Sequence, residues 1–106
     1  MIHTKYKPIS EQLCENYMSI LIDGIFKILP LKEENNPTVE EYISSLISEM
    51  VGFKNIVDVI NNDGRYLKVI CSLESIMNCT NIVFCKKEIF KCINIIDKLK
   101  YKYFAR

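Results

Sequence analysis

One hydrophobic spacing recurs along this chain of 106 residues and limits what it can fold into. In the first segment the apolar positions are Cys14, Met18, Leu21, Ile25 and Ile28. In the second they are Val39, Ile43, Leu46, Met50, Phe53, Val57 and Ile60. The third runs Tyr66, Ile70, Leu73, Met77, and the fourth Cys85, Ile89, Cys92, Ile96, Leu99, Tyr103. Steps of four and three alternate throughout, which keeps one face of an α-helix apolar over several turns. Four such segments in a chain of one domain's length predict an all-α fold, a compact antiparallel four-helix bundle with short connections. Residues 1–106 then form a single helical domain, with residues 1–8 as a mobile N-terminal segment.

The residues between these segments agree. Ser10 can cap the first helix, with Ile9 placed to pack on its first turn. Pro30 disfavours a helical residue before it and should end that helix near Leu29, leaving Lys32 to Asn36 as a loop. Thr38-Val-Glu-Glu41 has the capping-box pattern and should open the second helix. The apolar phase runs through Gly52 unbroken, so this reads as one long helix, with Gly52 the place where it could bend. Gly64 reads as its left-handed terminator. The third helix covers roughly Arg65 to Asn78, and Asn78-Cys-Thr-Asn81 leads into the fourth.

One alternative is α+β, with a small hairpin around Asp63-Gly64. Val57-Asp-Val-Ile60 and Arg65-Tyr-Leu-Lys-Val-Ile70 are β-branched flanks about an Asp-Gly turn. The helical spacing of Phe53, Ile56, Val57, Ile60 and of Tyr66, Val69, Ile70, Leu73 favours the bundle.

Hydrophobic residues make up 49% of the chain and charged residues 25%, enough to bury one core without metal or disulfide staples. The start carries no secretory signal pattern, and no uncharged apolar run approaches the roughly 20 residues that span a bilayer, so no membrane role is expected. Cysteines stand at 14, 71, 79, 85 and 92, an odd number with no Cys-x-x-Cys. Reduced thiols and a cytoplasmic location are expected from this, with Cys71, Cys85 and Cys92 as small buried hydrophobes.

Candidate chemistry is sparse. The single histidine, His3, lies near the chain end. Cys79, Cys85 and Cys92 are six and seven residues apart, not the two to four of zinc pairs. Glu33-Glu34 and Glu40-Glu41 are explained by solvation and by the positive end of a helix dipole, and Asp23 and Asp58 by solvent-facing positions beside the core stripe. No Glu-x-x-His and no glycine-rich phosphate loop occurs. Asn61-Asn-Asp-Gly64 lacks the twelfth-position ligand of a calcium loop. The expectation is therefore no enzyme, no cofactor and no metal.

Charge is the informative residue of this elimination. Residues 1–50 carry eight acids against four lysines, and residues 51–106 five acids against ten bases. On the fourth helix Lys87, Lys91, Lys98 and Lys102 fall within an arc of about 60° at 100° per residue, away from the apolar seam. Tyr101, Tyr103 and Phe104 crowd the chain end, more aromatic surface than one helix face can bury. Lys87, Lys91, Lys98, Lys102, Tyr101 and Phe104 are thus the candidate partner-binding residues. Solvation alone would also explain the lysines. The expected role is a small regulatory or inhibitory protein acting through protein–protein contact. Immunity-type proteins and inhibitors encoded by phages or mobile elements share this size and shape, an analogy of fold only. A homodimer is open too, two copies pairing head to tail or across a two-fold axis, the basic helix on the acidic face of residues 11–49. A nucleic-acid backbone is the weaker partner, because the chain is nearly neutral and arginine scarce.

Overall fold

A computed structural model describes residues 2–104. It contains six helical segments: α1 (Glu11–Phe26), α2 (Ile28–Glu33), α3 (Val39–Ile56), α4 (Asp58–Asn61), α5 (Gly64–Asn78) and α6 (Ile82–Tyr103). Of the described residues 79% are helical, against about a third in an average globular protein. The Asp63-Gly64 hairpin does not form. Asp63 is instead the N-cap of α5 and accepts from the amide of Arg65 at 3.0 Å.

The four long helices alternate in direction around the bundle. Tyr17 on α1 reaches Glu49 on α3, and Tyr42 on α3 reaches Gly24 on α1, so these two helices run antiparallel. Phe53 late in α3 meets Tyr66 early in α5, and a three-residue loop turns α5 back into α6. Neighbours round the bundle are therefore α3, α1, α6 and α5. The 41 Å long axis accommodates α6, whose 22 residues span about 33 Å at 1.5 Å per residue.

The apolar stripes meet in one core. Met18, Ile25, Ile28, Ile43, Met50, Ile60, Tyr66, Leu73, Ile89, Ile96 and Leu99 are all fully buried. The Tyr66 hydroxyl, deep in this core, donates to the carbonyl of Met50 at 3.0 Å. Burial raises its pKa well above the ordinary phenol range and keeps it a donor. Val69 and Ile76 join the seam of α5, whereas Met77 is only half-buried. Cys71 is exposed, contrary to expectation: it follows Ile70 by 100°, beyond the edge of the seam. Cys14, Cys85 and Cys92 are buried.

Helix ends correct the sequence reading in four places. Ser10 does cap α1, accepting from the Leu13 amide at 3.1 Å. Pro30, however, lies inside α2, and the break comes at Lys27. A proline ring disturbs the carbonyl four residues earlier, here Phe26, so the disruption falls upstream of the proline. The helix resumes and ends in a Schellman motif, with Asn35 left-handed at φ 52° and the Asn36 amide donating to the Leu31 carbonyl at 3.0 Å.

The capping box at Thr38 does not form. Both the amide and the hydroxyl of Thr38 donate to Asn36 Oδ1, at 2.9 and 2.6 Å. The second long helix is not continuous either, but the break is at Val57 rather than Gly52. Val57 is extended (φ −95°, ψ 113°) and fully buried. Backbone from the N-terminal segment takes up the groups this frees: Lys5 N donates to Ile56 O at 3.0 Å, and Asp58 N to His3 O at 3.2 Å. Within the N-terminal segment paired backbone hydrogen bonds join Ile2 and Ile9, and Ile2 is buried. Finally, Gly64 has no positive φ and terminates nothing; it is the first residue of α5.

Candidate protein-contact surfaces on α6 and between α1 and α3

Helix α6 is started by Asn81, whose Oδ1 accepts from the amides of Val83 and Phe84 at 3.0 and 3.1 Å. Its far end is locked by a carboxylate. Asp63 Oδ2 accepts from the Tyr103 hydroxyl at 2.6 Å and from the Arg65 guanidinium at 2.9 Å. Hydrogen bonds from Arg65 and Tyr103 hold the Asp63 carboxyl far below the usual range, outweighing its burial. The Asn81 cap sets where α6 begins, and the Tyr103–Asp63 bond ties its far end to the start of α5. Cys85, Ile89, Cys92, Ile96 and Leu99 point into the core.

Lys87, Lys91, Lys98 and Lys102 are all exposed, as the spacing requires. They are not equivalent. Lys91 lies 3.8 Å from Glu88, whose Oε2 is buried and accepts no hydrogen bond from the described residues. Lys102 sits over the ring of Tyr103 at 5.2 Å. Lys87 and Lys98 have no ion-pair partner among the described residues. Tyr101 is 63% exposed, with Lys100 over its ring at 4.9 Å.

Phe104 must be removed from the candidate surface. It is 2% exposed and belongs to the core, and its amide closes the last turn onto Lys100 O at 2.9 Å. Of the crowded chain-end aromatics, Phe104 is buried, Tyr103 is half-buried on Asp63, and Tyr101 is left outside. Two further apolar residues share its face. Val83 is 74% exposed and Phe90 40% exposed. At 100° per residue Val83, Phe90 and Tyr101 lie within about 20° of one another, an apolar ridge beside the lysine row. Phe90 also meets Phe26 of α1 edge-on, with ring centroids 5.6 Å apart.

The second surface lies in the acid-rich first half, the side expected to meet the basic helix of a second copy; its being a cleft was not foreseen. Helix α1 packs extensively on α6 and only lightly on α3, and a cleft of about 660 Å³ opens between α1 and α3. Leu21 and Leu46 form its floor, and Gly24 and Ser45 add no bulk above them. Two tyrosines bridge the helices in opposite directions. The Tyr42 hydroxyl donates to Gly24 O at 2.6 Å, and the Tyr17 hydroxyl to Glu49 O at 3.2 Å. Burial and then the nearby Glu49 carboxylate push both phenols up in pKa, so both remain donors. Asp23, Glu41 and Glu49 line the cleft against one base, Lys27, and Ile20, 63% exposed, lies at its edge. The acid-rich first half of the sequence signalled this charge. The light α1–α3 packing that makes it a cleft had no such signal.

Among the described residues no group of three or more potential metal-ligating side chains comes together, and no helix is long and apolar enough to cross a membrane. Comparison with known protein families, with curated proteins and with solved structures finds no match to this chain.

Proposed function

We propose that this protein is a small non-enzymatic regulator or inhibitor that works by protein–protein contact, with the outer face of α6 supplying the contact surface. One observation carries the reading: Val83, Phe90 and Tyr101 form an exposed apolar ridge alongside four exposed lysines on a helix anchored at both ends. Charge of this kind speeds encounter, and desolvated aromatics hold what has been steered in. Rigid presentation limits the entropy lost on binding. Acids beside the lysines, Glu88 and Asp97, favour a protein surface over a nucleic-acid backbone. Five free cysteines, three of them buried and apart, support work in a reducing compartment such as the cytoplasm.

The test is quantitative capture of partners from native cell extract. Wild type is compared with a variant carrying Lys87→Glu, Lys91→Glu, Lys98→Glu and Lys102→Glu. The variant should keep the wild-type circular dichroism spectrum, because all four side chains are exposed, and should lose the captured protein. Unchanged capture by a folded variant would mean that the lysines only solubilise the bundle.

A further inference from the structure

We infer that the α1–α3 cleft is a receptor for the outer face of α6 of a second copy of this chain, so that the protein associates head to tail. The inference rests on the reading of α6 as a contact surface and adds the identity of one partner. The two surfaces are complementary in charge and in apolar relief. The cleft has an apolar floor, Leu21 and Leu46 with Ile20 at the edge, between carboxylates Asp23, Glu41 and Glu49. The α6 face has an apolar ridge with lysines along one flank. A helix ridge laid between two helices is the ordinary mode of helix packing, and amphipathic helices dock into such grooves.

Spacing agrees as well. Glu41 and Glu49 are two turns apart on α3, about 12 Å at 1.5 Å per residue, and Lys91 and Lys98 are about 10.5 Å apart on α6. Phe90 precedes Lys91 and Tyr101 follows Lys98, so the apolar ridge runs beside the same stretch of helix. Round the bundle, α1 separates the cleft from the ridge, so the two lie on different faces. Each added copy then leaves one cleft and one ridge open, and association propagates instead of closing as a two-fold dimer. The tyrosine bridges keep the receptor preformed: Tyr42 holds Gly24 from across it, and Tyr17 holds the backbone at Glu49.

Sedimentation velocity on the full chain tests this, over a range of protein concentrations at low and high salt. Wild type should sediment faster as concentration rises at low salt and revert towards monomer at high salt. Lys91→Glu with Lys98→Glu should weaken the association by about tenfold or more, as should Glu41→Lys with Glu49→Lys. Mixing the two variants should restore it, since each then offers the charge the other's cleft or ridge requires. Wild type that stays monomeric at every concentration overturns the inference, whatever else the cleft holds. So does a mixture that fails to associate when each variant alone has lost the wild-type behaviour. If wild type is monomeric but the lysine variant loses its captured partner, the α6 reading survives and self-recognition fails. If the lysine variant matches wild type in both assays, both readings fail.

Discussion

The two sides of helix α1 are built on different principles. Towards α6 it packs broadly through apolar side chains, ending in the Phe26–Phe90 pair. Towards α3 it packs lightly, and the two helices are spanned by phenol-to-carbonyl hydrogen bonds from Tyr17 and Tyr42. Apolar contact closes one seam, while the other is spanned by the two polar bridges and, at one end, by the Tyr17–Phe53 ring contact with centroids 4.4 Å apart. Both are needed for the account above, since one side orients the ridge and the other shapes the cleft.

Core truncation should separate the two sides most strongly. Ile96→Ala, fully buried on α6, should cost near the top of the about 2–5 kcal/mol range for such changes. Leu46→Ala, on the cleft floor, should fall nearer the bottom, because neighbours there can relax into open space. Urea unfolding measures both. Equal losses would mean that the cleft floor is packed as tightly as the core. A smaller loss, about 1 kcal/mol, is expected for Tyr42→Phe, which deletes one cross-helix hydrogen bond. The same variant should weaken the self-association proposed above more than it weakens the fold.

Acid should act at the Asp63 anchor. The ordinary carboxyl value is 3.8, and the folded value is held lower by Arg65 and Tyr103. The stabilisation is therefore full above the ordinary value and is lost as pH falls through it and below. Asp63→Asn should be less stable at neutral pH and should show a shallower loss of stability on acidification. A variant with the wild-type acid profile would show that the Asp63 network contributes nothing to the fold. The thiols give a graded check. Cys71 should react with a thiol reagent at the rate of a free cysteine, whereas Cys14 and Cys92, pushed up to about 11 by burial, should react only as the bundle opens. The smallest effect belongs to Gly52→Ala, with open space around the new methyl group, which should stabilise α3 by about 0.5–1 kcal/mol.

Which parts of this were legible in the sequence follows from where the information lies. The alternating spacing depends on side chains within one helix, so the four stripes, the Ser10 cap and the outward lysines were all readable. Val57 shows the limit. Its place in the apolar phase predicted burial correctly, but its extended backbone depends on His3 and Lys5, more than fifty residues away. Cys71 and Phe104 failed for simpler reasons: Cys71 lies on the face of α5 opposite its seam, and Phe104 lies past the last residue of α6, where the helical phase no longer applies. The Thr38 box lost to Asn36, a side chain two residues upstream that reached the same amide first. The cleft depends on Gly24, Ser45 and two tyrosines on separate helices, a combination that no single-segment pattern contains.

The central claim, that the α6 face and the α1–α3 cleft are binding surfaces which recognise each other, is tested most directly by amide spectra recorded as protein concentration rises at low salt. Signals from Val83, Lys91, Lys98 and Tyr101 should shift together with those from Ile20, Asp23, Glu41 and Glu49, with Leu67 and Lys68 on the exposed side of α5 unmoved. Spectra that do not change with concentration, or shifts confined to α5, would contradict it.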